Sequence, residues 1–194
     1  MRSRSFVALC ALALLTASTA YAQQPPANRP ATPPPPPAVK VGEPAPDFTL
    51  AYLAKKTDGG YENKLVKLSD YKGKQNVVLA FFPAAFSPGC TSEMEKYQQH
   101  NGRFNAANTT VLGISVDSTW SNKAFREQLG AEFPILSDWK KETSRKYGLL
   151  NEDNGFARRA TFVVDQAGIV QKVDLGSEAL DPSGVVGMCE KLKK

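Results

Sequence analysis

The sequence is poor in the side chains that most often carry catalysis. It holds one histidine, His100, and three cysteines, Cys10, Cys90 and Cys189, in 194 residues. A single histidine and distant thiols do not make an ordinary zinc site, so no metal is expected. A hydrolase with a histidine base would have to use His100. That residue lies on the helix expected to carry Cys90, roughly 15 Å further along it. His100 is therefore read as an exposed residue near a helix C-terminus, where partial positive charge is tolerated. No C-x-x-C pair occurs: the position three after Cys90 is Glu93. Dithiol–disulfide exchange within one motif is thereby excluded. There is no internal repeat, and past the N-terminus no apolar run approaches the ~20 residues of a membrane helix. The net charge of +5 is spread along the chain, with lysines only in short pairs. That pattern gives no footprint for nucleic acid.

The N-terminal stretch has its own character. Arg2 and Arg4 form a basic region, Phe6 to Leu15 an apolar one, and "AYA" (Ala20 to Ala22) a cleavage signal. Residues 1–22 read as a secretory signal peptide, so the protein is expected to be exported, periplasmic or secreted. Cys10 lies in the apolar stretch, where "VALC" is a poor lipoprotein match. Residues 23–38 are a proline-rich linker with eight of the 14 prolines. It has too little apolar surface to bury and is expected to be a disordered, solvated spacer. Residues 39–194 are long enough for one domain with its own core. Two cysteines in an exported domain suggest a disulfide by default.

Within that domain, "FTLAYLA" and "KLVKLSDY" alternate weakly around the turn-rich "KKTDGG". "NVVLAFF", "TTVLGISV" and "ATFVVD" are continuous, β-branched apolar runs that suit strands buried on both faces. "GIVQKVDL" follows "ATFVVD" as a second hairpin. Helices are expected from Pro88 to about Arg103, from Asn122 to Leu129 with Ser121 as cap, from Lys140 to Tyr147 capped by Asp138, and from Pro182 to Leu192. The order is a β-hairpin, then β-α-β-α-β-α, then a second hairpin and a final helix. The expected fold is α/β and thioredoxin-like: a central, mostly parallel sheet flanked by helices, with an N-terminal β-hairpin extension.

Chemistry concentrates in "FFPAAFSPGCTSEM", Phe81 to Met94. A buried strand ends at Pro83 and a helix begins at Pro88. Cys90 falls in the first helical turn, where free N–H groups and the helix dipole favour a thiolate. Simple packing as a small apolar residue is the plainer alternative, against which stand the polar neighbours Ser87, Thr91 and Ser92. Arg158 and Arg159 precede a buried strand that could carry one guanidinium to Cys90, unless both are a solvated pair. Glu93, one helical turn after Cys90, could orient such an arginine or simply be a favourable acid in a first turn.

These residues resemble the peroxiredoxins, the alkyl hydroperoxide reductase C / thiol-specific antioxidant family. Its signature P-x-x-x-[TS]-x-x-C is met by Pro83, Ser87 and Cys90. "SPGCTSE" is similar to the PrxQ (bacterioferritin comigratory protein) branch and "FFPAAFS" to AhpE-like proteins. The likeness runs on through "VGEPAPDFTL", "VLGISVDS", "FPILSD" and "RRATFVVDQAGIV". It implies a thiol-dependent peroxidase that reduces hydrogen peroxide or organic hydroperoxides through a sulfenic acid, in antioxidant defence, without a cofactor. Cys90 would be the peroxidatic cysteine, and the Ser87 hydroxyl would bond the thiolate and a peroxide oxygen. Pro83 would shield the sulfenate, Arg159 would steady the transition state and Glu93 would orient that arginine. Arg158 suits the second cation less well.

The PrxQ branch often has a resolving cysteine where this sequence has Glu95. Cys189 shares one apolar helical face with Val185 and Leu192, as a buried inert thiol or as the resolving cysteine. An inert Cys189 would leave reduction to an external thiol or a thioredoxin-like protein. The expected form is a monomer or homodimer without nucleic acid or an integral membrane span. Two other readings are an exported thiol–disulfide oxidoreductase and a catalytically silent thioredoxin-like binding module.

Overall fold

The structure, a computed structural model, describes residues 35–193. The expected signal peptide and the linker up to residue 34 lie outside the described residues. At the start of the described chain, the Ala38 N–H donates to the Tyr147 carbonyl across 3.1 Å, and Val39 is buried.

The chain runs β1 (Thr49–Lys55), β2 (Tyr61–Lys67), β3 (Asn76–Phe81), α1 (Pro88–Gln99), α2 (Asn101–Ala106) and β4 (Thr109–Ser115). It continues with α3 (Thr119–Gln128), β5 (Ile135–Ser137), α4 (Glu142–Lys146), β6 (Ala160–Val164), β7 (Val170–Leu175) and α5 (Ser183–Leu192). The strands form one seven-stranded sheet in the order β2-β1-β5-β4-β3-β6-β7. Every residue of β3 and of β6 is buried, as continuous apolar runs require. Alternate residues feed two apolar layers. Val77, Leu79 and Phe81 pack with Tyr147, Leu149 and Phe162 on one face. Val78, Ala80 and Phe82 pack with Met94, Tyr97, Phe125 and Val185, carried by α1, α3 and α5, on the other.

The sheet is mixed, which corrects the expectation of a mostly parallel one. Only β3–β4 and β4–β5 are parallel; β1–β2, β1–β5, β3–β6 and β6–β7 are antiparallel. The cause lies in the connection between β5 and β6. A parallel crossover needs a helix that returns the chain to the opposite sheet edge. The five residues of α4 advance only about 7.5 Å, too little for that return. The chain stays at the carboxyl edge of β5, and β6 enters the sheet from there.

Helix boundaries differ in places. The expected helix from Pro88 to Arg103 is broken at His100, whose backbone (φ −95°, ψ 1°) leaves the helical region. Ser118, rather than Ser121, caps α3, its hydroxyl accepting the Ser121 N–H at 3.1 Å. The second half of "KLVKLSDY" turns away as a short 3-10 helix, Leu68–Tyr71. α4 starts at Glu142 rather than Lys140 and has Lys141, in a left-handed backbone, at its N-cap; Asp138 still supplies the capping contacts, its buried carboxylate accepting the N–H groups of Thr143 and Ser144. Gly148 ends that region at φ +68°, and a Cβ there would come within 2.5 Å of the Ala38 nitrogen. Glycine is required at this close approach.

Candidate active site

β3 delivers the chain to the carboxyl edge of the sheet, and half-buried Pro83 stands two residues past its end. The chain then turns through Phe86, which takes a left-handed backbone (φ 65°) although it is not glycine. Its ring lies edge-on to Phe125, with centroids 5.2 Å apart. Ser87 follows as N-cap of α1, with extended backbone. Its carbonyl accepts the Thr91 N–H at 2.9 Å. Its hydroxyl makes no capping bond and no hydrogen bond to the Cys90 sulfur in this structure. Pro88 opens the helix, where a missing N–H costs nothing. Gly89 leaves room for the neighbouring cation: a Cβ there would lie 3.4 Å from Arg159 Nη2.

Cys90 is the third residue of α1 and is 1% exposed. Glu93, on the same helical face one turn later, is fully buried. Arg159 joins them. Its Nη2 donates to Cys90 Sγ across 3.3 Å, and its Nη1 is ion-paired with Glu93 Oε2. No other group hydrogen-bonds to the Glu93 oxygens among the described residues. Strand pairing explains how an arginine 69 positions away reaches this spot. Ala160 opposes Phe81 in the antiparallel β3–β6 ladder. Arg159, one residue earlier, therefore stands at the carboxyl edge beside the start of α1. Had β6 run parallel to β3, its first residue would lie at the far edge.

Arg158 faces elsewhere. It donates to the carbonyls of Pro35 (2.6 Å) and Gly148 (2.5 Å), so it ties the incoming chain to the loop after α4. Glu95, which stands where the PrxQ branch often has its resolving cysteine, is exposed on α1. Cys189 and Cys90 are both free thiols in the same apolar layer, but at different heights. Cys189 neighbours Thr109, the first residue of β4, and burial pushes its thiol up to about 11. Cys90 lies in the first turn of α1, past Phe81, the last residue of β3, whereas Thr109 pairs with Asn76, the first residue of that strand. Five strand residues separate those levels, on the order of 16 Å. A disulfide needs Cα atoms within about 7 Å, so the two thiols do not meet in this conformation.

Two contributors were not singled out from the sequence. Asp117 accepts the Ala85 N–H at 2.8 Å, and Phe125 supports Phe86. The acid of "SVDS", just past a buried strand parallel to β3, was a usable signal for Asp117. Nothing local marks Phe86 for a left-handed turn.

A buried thiol at a helix N-terminus, held by a guanidinium, marks a thioredoxin-like protein whose chemistry centres on a thiol. The arrangement sets a cation beside any charge that develops at the sulfur. Comparison with known proteins agrees. The AhpC/TSA family model matches residues 41–173, and the chain belongs to that family. Alkyl hydroperoxide reductase E of Mycobacterium tuberculosis is 37% identical over 139 residues, 71% of this chain and 86% of that one. Peroxiredoxin-2 of Bos taurus is 39% identical over 142 residues, 70% of this chain and 68% of that one. The crystal structure of peroxidoxin BcpB from Mycobacterium tuberculosis superposes with a TM-score of 0.70 at 25% identity, covering 80% of this chain and 99% of that one. The protein is a thiol-dependent peroxidase of the peroxiredoxin class. Disulfide oxidoreductase and silent-module readings are set aside.

Proposed function

We propose that the protein reduces hydrogen peroxide and organic hydroperoxides outside the cytoplasm and recovers through an external thiol. The observation that carries this reading is the Arg159 guanidinium bridging Cys90 Sγ and the Glu93 carboxylate. The Cys90 thiolate attacks one peroxide oxygen. An S–O bond forms, the O–O bond breaks, and its electron pair leaves on the distal oxygen as alkoxide or hydroxide. A proton then gives alcohol or water, and Cys90 is left as sulfenic acid. Arg159, fixed by Glu93, stabilises the charge moving onto the oxygens. Ser87 offers a hydroxyl to the reacting oxygen, and Pro83 shields the sulfur from water.

Two external thiols then return the sulfenic acid to thiol, releasing water and a disulfide. The separation and burial of Cys189 favour an external donor over an internal one. A thioredoxin-like protein fits that role, with the peroxidase acting as a monomer or homodimer. The N-terminal pattern of basic, apolar and small residues supports export to the periplasm or beyond.

Cys90→Ser in the purified protein is expected to abolish peroxide consumption, and retained consumption sinks the reading. Intact mass after one equivalent of peroxide separates the fates of Cys90. One added oxygen, trapped by a sulfenic-acid reagent, supports the external donor. A loss of two hydrogens at constant oligomer size refutes it in favour of a Cys90–Cys189 disulfide.

A further inference from the structure

We infer that Asp117 is a positioning residue for peroxide cleavage, its carboxylate holding the Pro83–Ser87 segment in the shape that sets Ser87 at the start of α1, within reach of a peroxide at Cys90. The inference rests on the peroxidase reading above. Asp117 lies two residues past β4, the strand parallel to β3, and so at the same carboxyl edge as Cys90. Its Oδ2 accepts the Ala85 N–H at 2.8 Å. Among the described residues this is the only hydrogen bond that ties residues 83–86 to the rest of the protein.

The anchor is itself held from three elements. The buried Ser115 hydroxyl donates to Asp117 Oδ2 at 3.0 Å and lies 2.9 Å from Asn122 Oδ1 on α3. Asn122 Nδ2 donates to the Leu136 carbonyl on β5 at 3.0 Å. The Ser137 hydroxyl donates to the Asp117 carbonyl at 2.5 Å. The carboxylate therefore has a fixed address relative to β4, β5 and α3.

The segment it holds does not favour its own shape. Phe86 sits in the left-handed region, which a residue with a Cβ disfavours. One aromatic contact with Phe125 and one hydrogen bond through Ala85 oppose its relaxation. Ser87 is the next residue, so relaxation at Phe86 rotates the Ser87 hydroxyl and the entry to α1 together. Asp117 touches no reacting atom. It acts through the backbone of Ala85 on the placement of Ser87.

The test compares two reactions of Cys90 in the pre-reduced full-length protein: oxidation by hydrogen peroxide and alkylation by iodoacetamide. Alkylation needs an accessible thiolate, whereas oxidation also needs aligned donors. Asp117→Ala is expected to lower the peroxide rate constant about 10- to 100-fold, the worth of one hydrogen bond to a charged acceptor, while alkylation stays level or rises. Asp117→Asn keeps an oxygen for the Ala85 N–H and is expected to recover to within about fivefold of the parent. Ser115→Ala, a milder change, is expected to lower the peroxide rate severalfold and stands in if Asp117→Ala does not fold. An Asp117→Ala rate within about twofold of the parent overturns the inference, as does an equal fall in both reactions or an unchanged Ser115→Ala rate. A parent protein inert to peroxide sinks both this inference and the function it rests on. An active parent with an equally active Asp117→Ala sinks this inference alone.

Discussion

Replacing Arg159 by lysine keeps a positive charge at the site and removes its fork. The guanidinium uses Nη2 for Cys90 Sγ and Nη1 for Glu93. A single ammonium cannot hold both positions in the same geometry. One charge-assisted hydrogen bond is worth about 1.5–3 kcal/mol. If that bond is fully used in the transition state, its loss slows peroxide cleavage by about 10- to 150-fold. Methionine removes the charge as well. It leaves the Glu93 carboxylate, at 0% exposure, without its counter-ion. Breaking a buried pair in this way costs about 3–5 kcal/mol of stability. The Arg159 side chain is 14% exposed, so water entering at that end favours the lower figure. At a urea slope of about 2 kcal/mol per molar, the midpoint falls by about 1.5–2 M. Single-turnover peroxide consumption by stopped flow reads the first effect, and urea unfolding reads the second. An Arg159→Lys rate within about threefold of the parent refutes the need for the fork. An Arg159→Met protein as stable as the parent refutes the uncompensated charge.

Burial raises the Cys189 thiol from 9.0 to about 11, so the folded state resists losing this proton. The related stability is complete below pH 9 and is lost as the pH rises through about 11, a fall of about 3 kcal/mol at most. Urea unfolding between pH 8 and 11 should show Cys189→Ala losing less stability than the parent; parallel curves count against the burial argument. The raised Tyr97 and Tyr147 hydroxyls remain in both proteins and largely cancel in the comparison. Gly148→Ala forces a Cβ onto the Ala38 backbone at φ +68°. It should cost about 2–3 kcal/mol and expose the chain around Ala38 to protease, and an unchanged midpoint contradicts the close packing.

Legibility followed distance along the chain. The buried strand "NVVLAFF", the stop at Pro83 and the helix from Pro88 were readable because an apolar run, a proline and a helix start are local properties. The Asp138 cap was readable for the same reason. The break at His100 and the shift of the α3 cap to Ser118 were not, since helix ends depend on the neighbours that hold them. Asp117 lay in plain sight in "SVDS", yet its value comes from Ala85, 32 residues earlier.

Local patterning is enough to place Cys90 at the start of a helix after a buried strand, with Glu93 one turn beyond. Helical periodicity and apolar patterning specify those facts within a dozen residues. The sequence also set Arg158 and Arg159 side by side, and only the family resemblance singled out Arg159. The fold supplies the physical reason. The short α4 cannot carry the chain across the sheet, so β6 enters antiparallel at the edge where β3 ends. That direction brings Arg159 to Cys90 and leaves Arg158 on the backbone carbonyls of Pro35 and Gly148. The same sheet places Cys189 near the other edge. Contacts across such distances in sequence come from strand order and connection length, which no local pattern specifies.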